Sequence, residues 1–248
     1  MDSLVSTDWL AGELEAGDLR IVDATYVLAA DGRDPQAEFD KAHIPYAVFF
    51  DIADVSDTAS SLPTMLPSAA KFASRMQALG LGDGNRIVVY DNSPYHSAAR
   101  AWWMLMLFGA HDVALLDGGL AKWQAEGRPL ESGKPAVRHR HFTVWDDRSG
   151  VRDLAQMRDN LTTRAEQVVD TRSAVRFRGE EPETRPGELR SDGERCKSRT
   201  AGSVGGGDYF RRRRSAVGLP RRAGFACART GSRPVIASFR ASGTGSVK

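Results

Sequence analysis

Arg86-Ile87-Val88-Val89-Tyr90-Asp91-Asn92-Ser93-Pro94-Tyr95-His96 reads as a strand that runs into a polar loop, and the apolar run Ala98 to Phe108 that follows reads as a buried helix. Four consecutive apolar residues, Ile87 to Tyr90, with no polar alternation are the pattern of a strand covered on both faces, as in a parallel sheet. The same signals recur on either side. Leu19 to Ala24, Val48-Phe49-Phe50-Asp51 and Val113 to Asp117 read as further strands. Ser6-Thr7-Asp8 and Ser68 cap helices that run through Leu14 and Leu79, the second closed by Gly80 and Gly82, and Gly118-Gly119 opens a helix containing Trp123. Strands that alternate with helices make an α/β domain with a mainly parallel sheet. From Gly127 to Gly150 the chain is polar and punctuated by proline, a linker that Phe142 and Trp145 pin down.

The chain has 248 residues, 41% of them hydrophobic and 27% charged, enough for one large or two ordinary domains with a real core. Two cysteines, Cys196 and Cys227, exclude a disulfide scaffold and a four-cysteine zinc site. The N-terminus has neither the basic nor the apolar region of a signal peptide, and the longest strongly apolar run, Trp102 to Phe108, is far short of the ~20 residues that span a membrane. A cytoplasmic protein with no membrane contact is expected. The formal net charge of +2 hides a split: residues 188–248 hold twelve Arg and two Lys against four acids, net +10, which leaves residues 1–187 at −8. That tail, rich in Gly and Ser and carrying Arg211-Arg212-Arg213-Arg214, has little apolar surface to offset its ordering entropy.

Two strands echo at one offset. Ile21-Val22-Asp23-Ala24 returns as Val168-Val169-Asp170-Thr171, and Arg86-Ile87-Val88-Val89 as Arg233-Pro234-Val235-Ile236, both 147 residues on. The period is too long for a solenoid and fits two copies of one domain. Between the echoes the second copy fails: nothing near 190–200 resembles His43 to Asp51, and Asp117-Gly118-Gly119 has no counterpart.

Asp31-Gly32-Arg33-Asp34 with Glu38-Phe39, His43-Ile44-Pro45, Phe49-Phe50-Asp51-Ile52, Met65-Leu66-Pro67, Val88-Val89-Tyr90-Asp91, Trp102-Trp103 and Leu116-Asp117-Gly118-Gly119-Leu120 together resemble the first domain of tandem rhodanese-type sulfurtransferases. Val169-Asp170-Thr171-Arg172, Arg176-Phe177-Arg178-Gly179 and Glu181-Pro182-Glu183-Thr184-Arg185 resemble the start of their second domain, the 3-mercaptopyruvate/thiosulfate group standing nearest. The resemblance implies two rhodanese-like α/β domains: a catalytically silent one over 4–127, a linker over 128–150, and a second over 151–248 that is degraded or frame-shifted after about 187. It implies transfer of a sulfane sulfur from 3-mercaptopyruvate or thiosulfate to cyanide or a thiol through a cysteine persulfide. No metal or organic cofactor is implied; a thioredoxin-like reductant is a further partner. Sulfur transfer of this kind needs a soft thiolate and a cradle of backbone N–H groups. Arg176 and Arg185 fall on the substrate-binding positions, where forked hydrogen bonds would hold a carboxylate or sulfonate.

The expected cysteine position, after Arg233-Pro234-Val235-Ile236-Ala237-Ser238, holds Phe239, which can accept no sulfur. In the first copy the corresponding residue is Asp91. Ala53 stands where relatives often have aspartate, and Thr64 where they often have histidine. The tail fits shifted reading of a GC-rich gene, with a genuine basic tail as the alternative. Cys227 with Arg233 has the C-x5-R spacing of a phosphatase loop, but Arg221 to Ala226 is no buried strand; Cys227 is the fallback nucleophile. A non-catalytic rhodanese-like binding module is the other alternative. Arg211 to Arg214 lack an aromatic platform, so no nucleic-acid partner is expected. His43 reads as structural, His96 lies in the silent loop, His139 and His141 lie in the linker, and Asp23 and Asp170 read as local backbone caps.

Overall fold

The computed structural model describes residues 1–170 and, as backbone, a strand at 196–197. These residues fall into two units, Met1–Asp147 and the part that begins at Arg148.

In the first unit β1 (Leu4–Val5), β2 (Leu19–Asp23), β3 (Ala47–Phe49), β4 (Arg86–Tyr90) and β5 (Val113–Leu116) form one parallel sheet in the order β1-β5-β4-β2-β3. β4 lies at its centre, with Ile21 opposite Val88 and Val88 opposite Ala114. The helices are α1 (Thr7–Glu13), α2 (Pro35–Lys41), α3 (Ile52–Val55), α4 (Ala69–Ala78), α5 (Ala98–Leu107) and α6 (Gly119–Ala125). On one face of the sheet Leu10 of α1, Phe39 of α2 and Leu120 and Trp123 of α6 pack with Ile21, Val88, Tyr90 and Ala114. The alternate positions Ile87 and Val89 face the other way, toward α4 and α5, where Phe72 and Phe108 stack with centroids 4.2 Å apart. Each large apolar side chain buried here contributes about 1.5–3 kcal/mol.

The caps form as expected: the hydroxyls of Ser6 and Ser68 accept from the N–H of Trp9 and Lys71, and Gly80, at φ 69, ends α4. The strand expected over 48–51 is shifted. Pairing stops at Phe49, and the Asp51 carboxylate turns to accept from the N–H of Ala53 and Asp54, capping α3 instead of extending β3. The segment after Gly127 is no free linker. His43 and Glu131 exchange backbone hydrogen bonds of 2.9 Å each, the N–H and hydroxyl of Thr143 bond the Asp83 carboxylate at 2.8 and 2.6 Å, and the buried Phe142 meets Phe72 edge-on. Of the two expected pins, Phe142 holds by its ring. Trp145 docks only its backbone, its N–H on the carbonyl of Phe108 at 3.0 Å, and leaves its side chain exposed.

In the second unit α7 (Leu154–Thr163) starts at Asp153, whose side chain and that of Gln156 cap each other's backbone N–H groups. Arg152 forks onto Glu166 (Nε to the carboxylate at 2.8 and 3.0 Å), and Asn160 brackets the backbone of Glu166 at both ends. β6 (Val169–Asp170) pairs in parallel with β7 (Cys196–Lys197). The partners are 27 residues apart, against 26 for Val22 and Val48 in β2 and β3. A pairing thus occurs within 190–200, where the sequence shows no likeness to β3. No helix among the described residues is long and apolar enough to cross a membrane.

Candidate functional site

From β2 the chain passes to β3 on one side of the sheet and then returns to β4 on the other side of β2. The crevice beyond the carboxyl ends of β2 and β4 is therefore a topological switch point, the place where open α/β sheets bind ligands. In this unit it is filled from within. The Asp91 carboxylate, one residue past β4, accepts from the N–H of Ala98 at 2.6 Å and of Ser93 at 3.5 Å, so it occupies the N-terminus of α5 as the helix's own anion. Burial raises its pKa from the ordinary carboxylate value, and those N–H bonds partly counter the rise.

The rest of the loop is committed in the same way. The N–H of Asn92 bonds the Thr25 hydroxyl at 2.9 Å, and that of Tyr95 the Ser93 hydroxyl at 3.1 Å. The Ser97 hydroxyl donates to the Ala24 carbonyl at 2.7 Å and accepts from the N–H of Tyr26 at 3.0 Å. The Asp91 carbonyl receives the N–H of Leu120 at 3.1 Å, and a Cβ on Gly119, which sits at φ 55, would lie 2.5 Å from that oxygen. The donors that could cradle a substrate anion are thus spent on the protein itself, and a carboxylate stands where a thiolate would be needed. This loop holds a helix in place; it cannot accept sulfur.

Below it Asp23 is buried, its Oδ1 accepting from the Thr25 N–H at 2.9 Å and hydroxyl at 2.5 Å, with the Tyr90 phenol as a further partner. Burial raises the pKa of Asp23, and burial with the nearby Asp23 charge raises that of Tyr90. Asp23 is the local cap that the sequence suggested; of Asp170 only the backbone is described. Beside Asp23 a cleft of about 240 Å³ opens between α2 and α6, lined by Phe39 and Leu120. Its Arg33 is spent on Glu38, with bonds of 2.7 and 2.5 Å, and on the Asn92 carbonyl at 3.0 Å.

The substrate-binding candidates Arg176 and Arg185, the fallback nucleophile Cys227 with Arg233, and the expected nucleophile position Phe239 lie outside the described residues. His43 is structural, its Nδ1 2.8 Å from the Phe39 carbonyl and its ring stacked on Phe39. The described residues contain no cluster of His, Cys, Asp or Glu fit to hold a metal. Ala53 lies in the first turn of α3, and Thr64 has φ 56 with its carbonyl accepting from Arg100 at 3.0 Å. The tie between this loop and the end of β2 escaped the sequence, because the Asn92 N–H and the Thr25 hydroxyl, and the Tyr26 N–H and the Ser97 hydroxyl, come from segments some seventy residues apart.

Residues 6–126 match the model of the rhodanese-like domain. The chain is 42% identical to human 3-mercaptopyruvate sulfurtransferase over 191 residues, which cover 75% of this chain and 64% of that protein. It is 38% identical to the 3-mercaptopyruvate sulfurtransferase of Escherichia coli K12 over 186 residues, 74% of this chain and 66% of that one. Among solved structures, that of SseA, a 3-mercaptopyruvate sulfotransferase from Escherichia coli, superposes with a TM-score of 0.70 at 35% identity, covering 77% of this chain and 73% of the other. Tum1 of Saccharomyces cerevisiae gives 0.65 at 27% identity, over 74% and 65%. The chain thus spans a little under two thirds of the length of these curated relatives.

Proposed function

Because the chain belongs to the rhodanese family, with 3-mercaptopyruvate sulfurtransferases among its relatives, we propose that it descends from a tandem sulfurtransferase and that, as it stands, it does not turn over. The ancestral reaction moves a sulfane sulfur from 3-mercaptopyruvate or thiosulfate to cyanide or a thiol. With 3-mercaptopyruvate a cysteine thiolate attacks the donor sulfur, an S–S bond forms as the C–S bond breaks, and the enolate that leaves takes a proton to become pyruvate. The acceptor then attacks the outer sulfur and releases the thiolate.

The observation that carries this reading is the reach of the likeness. Identity of 42% runs over 191 residues, well beyond the 6–126 of the domain match, and then stops with about a third of the relative unmatched. The motifs around Arg176 and Arg185 belong to such a second domain, and the 147-residue offset fits a duplicated unit. Arg176 and Arg185 then fork onto the donor's carboxylate or sulfonate, and Phe239 stands in the nucleophile's place.

The test is an assay of the full chain with 3-mercaptopyruvate and with thiosulfate, cyanide as acceptor. No turnover above the uncatalysed background is expected. Robust turnover that disappears in Cys227→Ser would overturn the reading and make Cys227 the nucleophile. Sequencing the gene around codons 188 and 239 decides its origin: a single-base insertion or deletion at each, restoring a cysteine after Ser238, makes the tail a shifted frame. A second reading, a binding module, draws on the closed Asp91 loop of the first unit. It expects a fragment 1–150 that is stable, captures a partner and forms no persulfide.

A further inference from the structure

Three arginines of the first unit lie over tryptophan rings: Arg86 over Trp9 at 5.8 Å, Arg128 over Trp123 at 5.3 Å and Arg100 over Trp103 at 4.8 Å. The first two stacks are closed by carboxylates. Arg86 bonds Asp18 through Nε at 2.7 Å and Glu13 through Nη2 at 2.9 Å, and Arg128 bonds Glu126 through Nε at 2.6 Å and reaches Asp8 as well.

The third stack has the shortest distance and no acid among the described residues. Arg100, half-buried in the first turn of α5, gives one bond, from Nη2 to the Thr64 carbonyl at 3.0 Å. Four of the five guanidinium N–H donors, among them the Nε–H that the other two stacks use, have no acceptor among the described residues. The same holds for the indole N–H of Trp103, whereas that of its neighbour Trp102 bonds the Val113 carbonyl at 2.9 Å. Burial lowers the pKa of Arg100, and no carboxylate among the described residues opposes that shift.

We propose that Arg100 and Trp103 form a binding notch for the carboxylate of a small organic acid, which supplies the acid that Asp18 and Glu126 supply in the other two stacks. The fork of Nε–H and Nη–H takes the two carboxylate oxygens, and the Trp103 indole N–H adds a donor beside them. The indole face below holds the guanidinium in the plane that such a fork requires. The Thr64 carbonyl takes one of the two N–H groups of Nη2, the nitrogen that shares the fork edge with Nε, and so orients the fork; Thr64 is a positioning residue here. A small acid suits the notch better than a peptide: among the described residues flanking Thr64 in the chain, Met65 is the large apolar side chain left exposed, a small area for a peptide to cover. The inference is independent of whether the chain transfers sulfur.

The full chain, labelled with 15N in its indole groups, would be titrated with sodium pyruvate at constant ionic strength, sodium chloride as the control. The Trp103 resonance, assigned by its absence from Trp103→Phe, is expected to shift and saturate with a dissociation constant on the order of 1–10 mM. The Trp9 and Trp123 resonances, whose arginines already hold carboxylates, stay in place. Arg100→Gln weakens binding at least about tenfold. A response that rises linearly without saturating, or one unchanged in Arg100→Gln, overturns the proposal. If Arg100→Gln does not fold, Arg100→Lys serves, keeping the charge and losing the fork; undiminished binding there overturns the proposal equally. A shift produced by a glutamate-rich peptide and not by pyruvate overturns the small-acid assignment in favour of a peptide partner.

Discussion

α1 and α7 start from equivalent places 147 residues apart. Ser6 and Asp153 cap them, Leu10 corresponds to Met157 and Leu14 to Leu161, and the strands that follow end at Asp23 and Asp170. Their surroundings differ. Leu10 is fully buried and Leu14 packs on the core of the first unit, whereas Met157 is half-buried and Leu161 is 52% exposed. A cap and a stripe of apolar residues suffice to start a helix, but the stripe stabilises anything only when a sheet lies against it.

The largest expected effect concerns where the first unit ends. Phe142→Ala should cost roughly 3–5 kcal/mol, because it opens a hole beside Phe72. Chemical denaturation followed by far-UV circular dichroism measures it, and a loss below about 1 kcal/mol would reduce the segment after Gly127 to an accessory. Next comes the helix pair itself. Leu10→Ala should cost about 2–5 kcal/mol and Met157→Ala clearly less, since its site is already half open to water; equal losses would erase the contrast between the units. Smaller again is Gly119→Ala, at roughly 1–3 kcal/mol, where a left-handed backbone coincides with the Asp91 carbonyl. Gly127→Ala, at φ 66 with open space around it, should cost only about 1 kcal/mol, and the difference isolates the close approach at the loop after β4.

The smallest effect is pH-dependent. Bonds from the Thr143 hydroxyl and N–H hold the Asp83 pKa below its ordinary 3.8, so this anchor of the segment after Gly127 is fully present above about that pH and is lost as pH falls through the lower, folded value. Amide exchange at Thr143, corrected for its intrinsic pH dependence, should lose protection in that range and should not do so in Asp83→Asn. Asp23 and Asp91 act with the opposite sign. Their raised values mean that the folded state holds those protons more tightly, so stability falls as pH rises from about 3.8 through the raised values. If acid strengthened the Thr143 contact, the assignment of opposite signs to the surface and buried carboxylates would fail.

Much of the first unit was legible because its signals are local. Ser6, Ser68 and Gly80 mark helix ends through bonds to residues within four or five positions, and Ile87 to Tyr90 can be read only as a strand buried on both faces. β1 was not legible: two residues, Leu4–Val5, carry no periodicity, and only their pairing with Leu115 and Leu116 makes them a strand. For the candidate site, the sequence marked Asp91 as the first copy's counterpart of the expected cysteine position but was silent on what its carboxylate does. The Arg100 notch was equally invisible, since what sets this stack apart is that no carboxylate among the described residues joins it, whereas the other two have one.

Composition and motif thus determined the α/β class and the rhodanese family, because each is a property of residue types at fixed spacing. The tertiary structure alone decided that the loop after β4 is closed on itself, that the segment after Gly127 belongs to the first unit's core, and that Arg100 meets no acid among the described residues. Those facts depend on which donors and acceptors, tens of residues apart in the chain, come within about 3 Å of each other, and on how little water remains once they do.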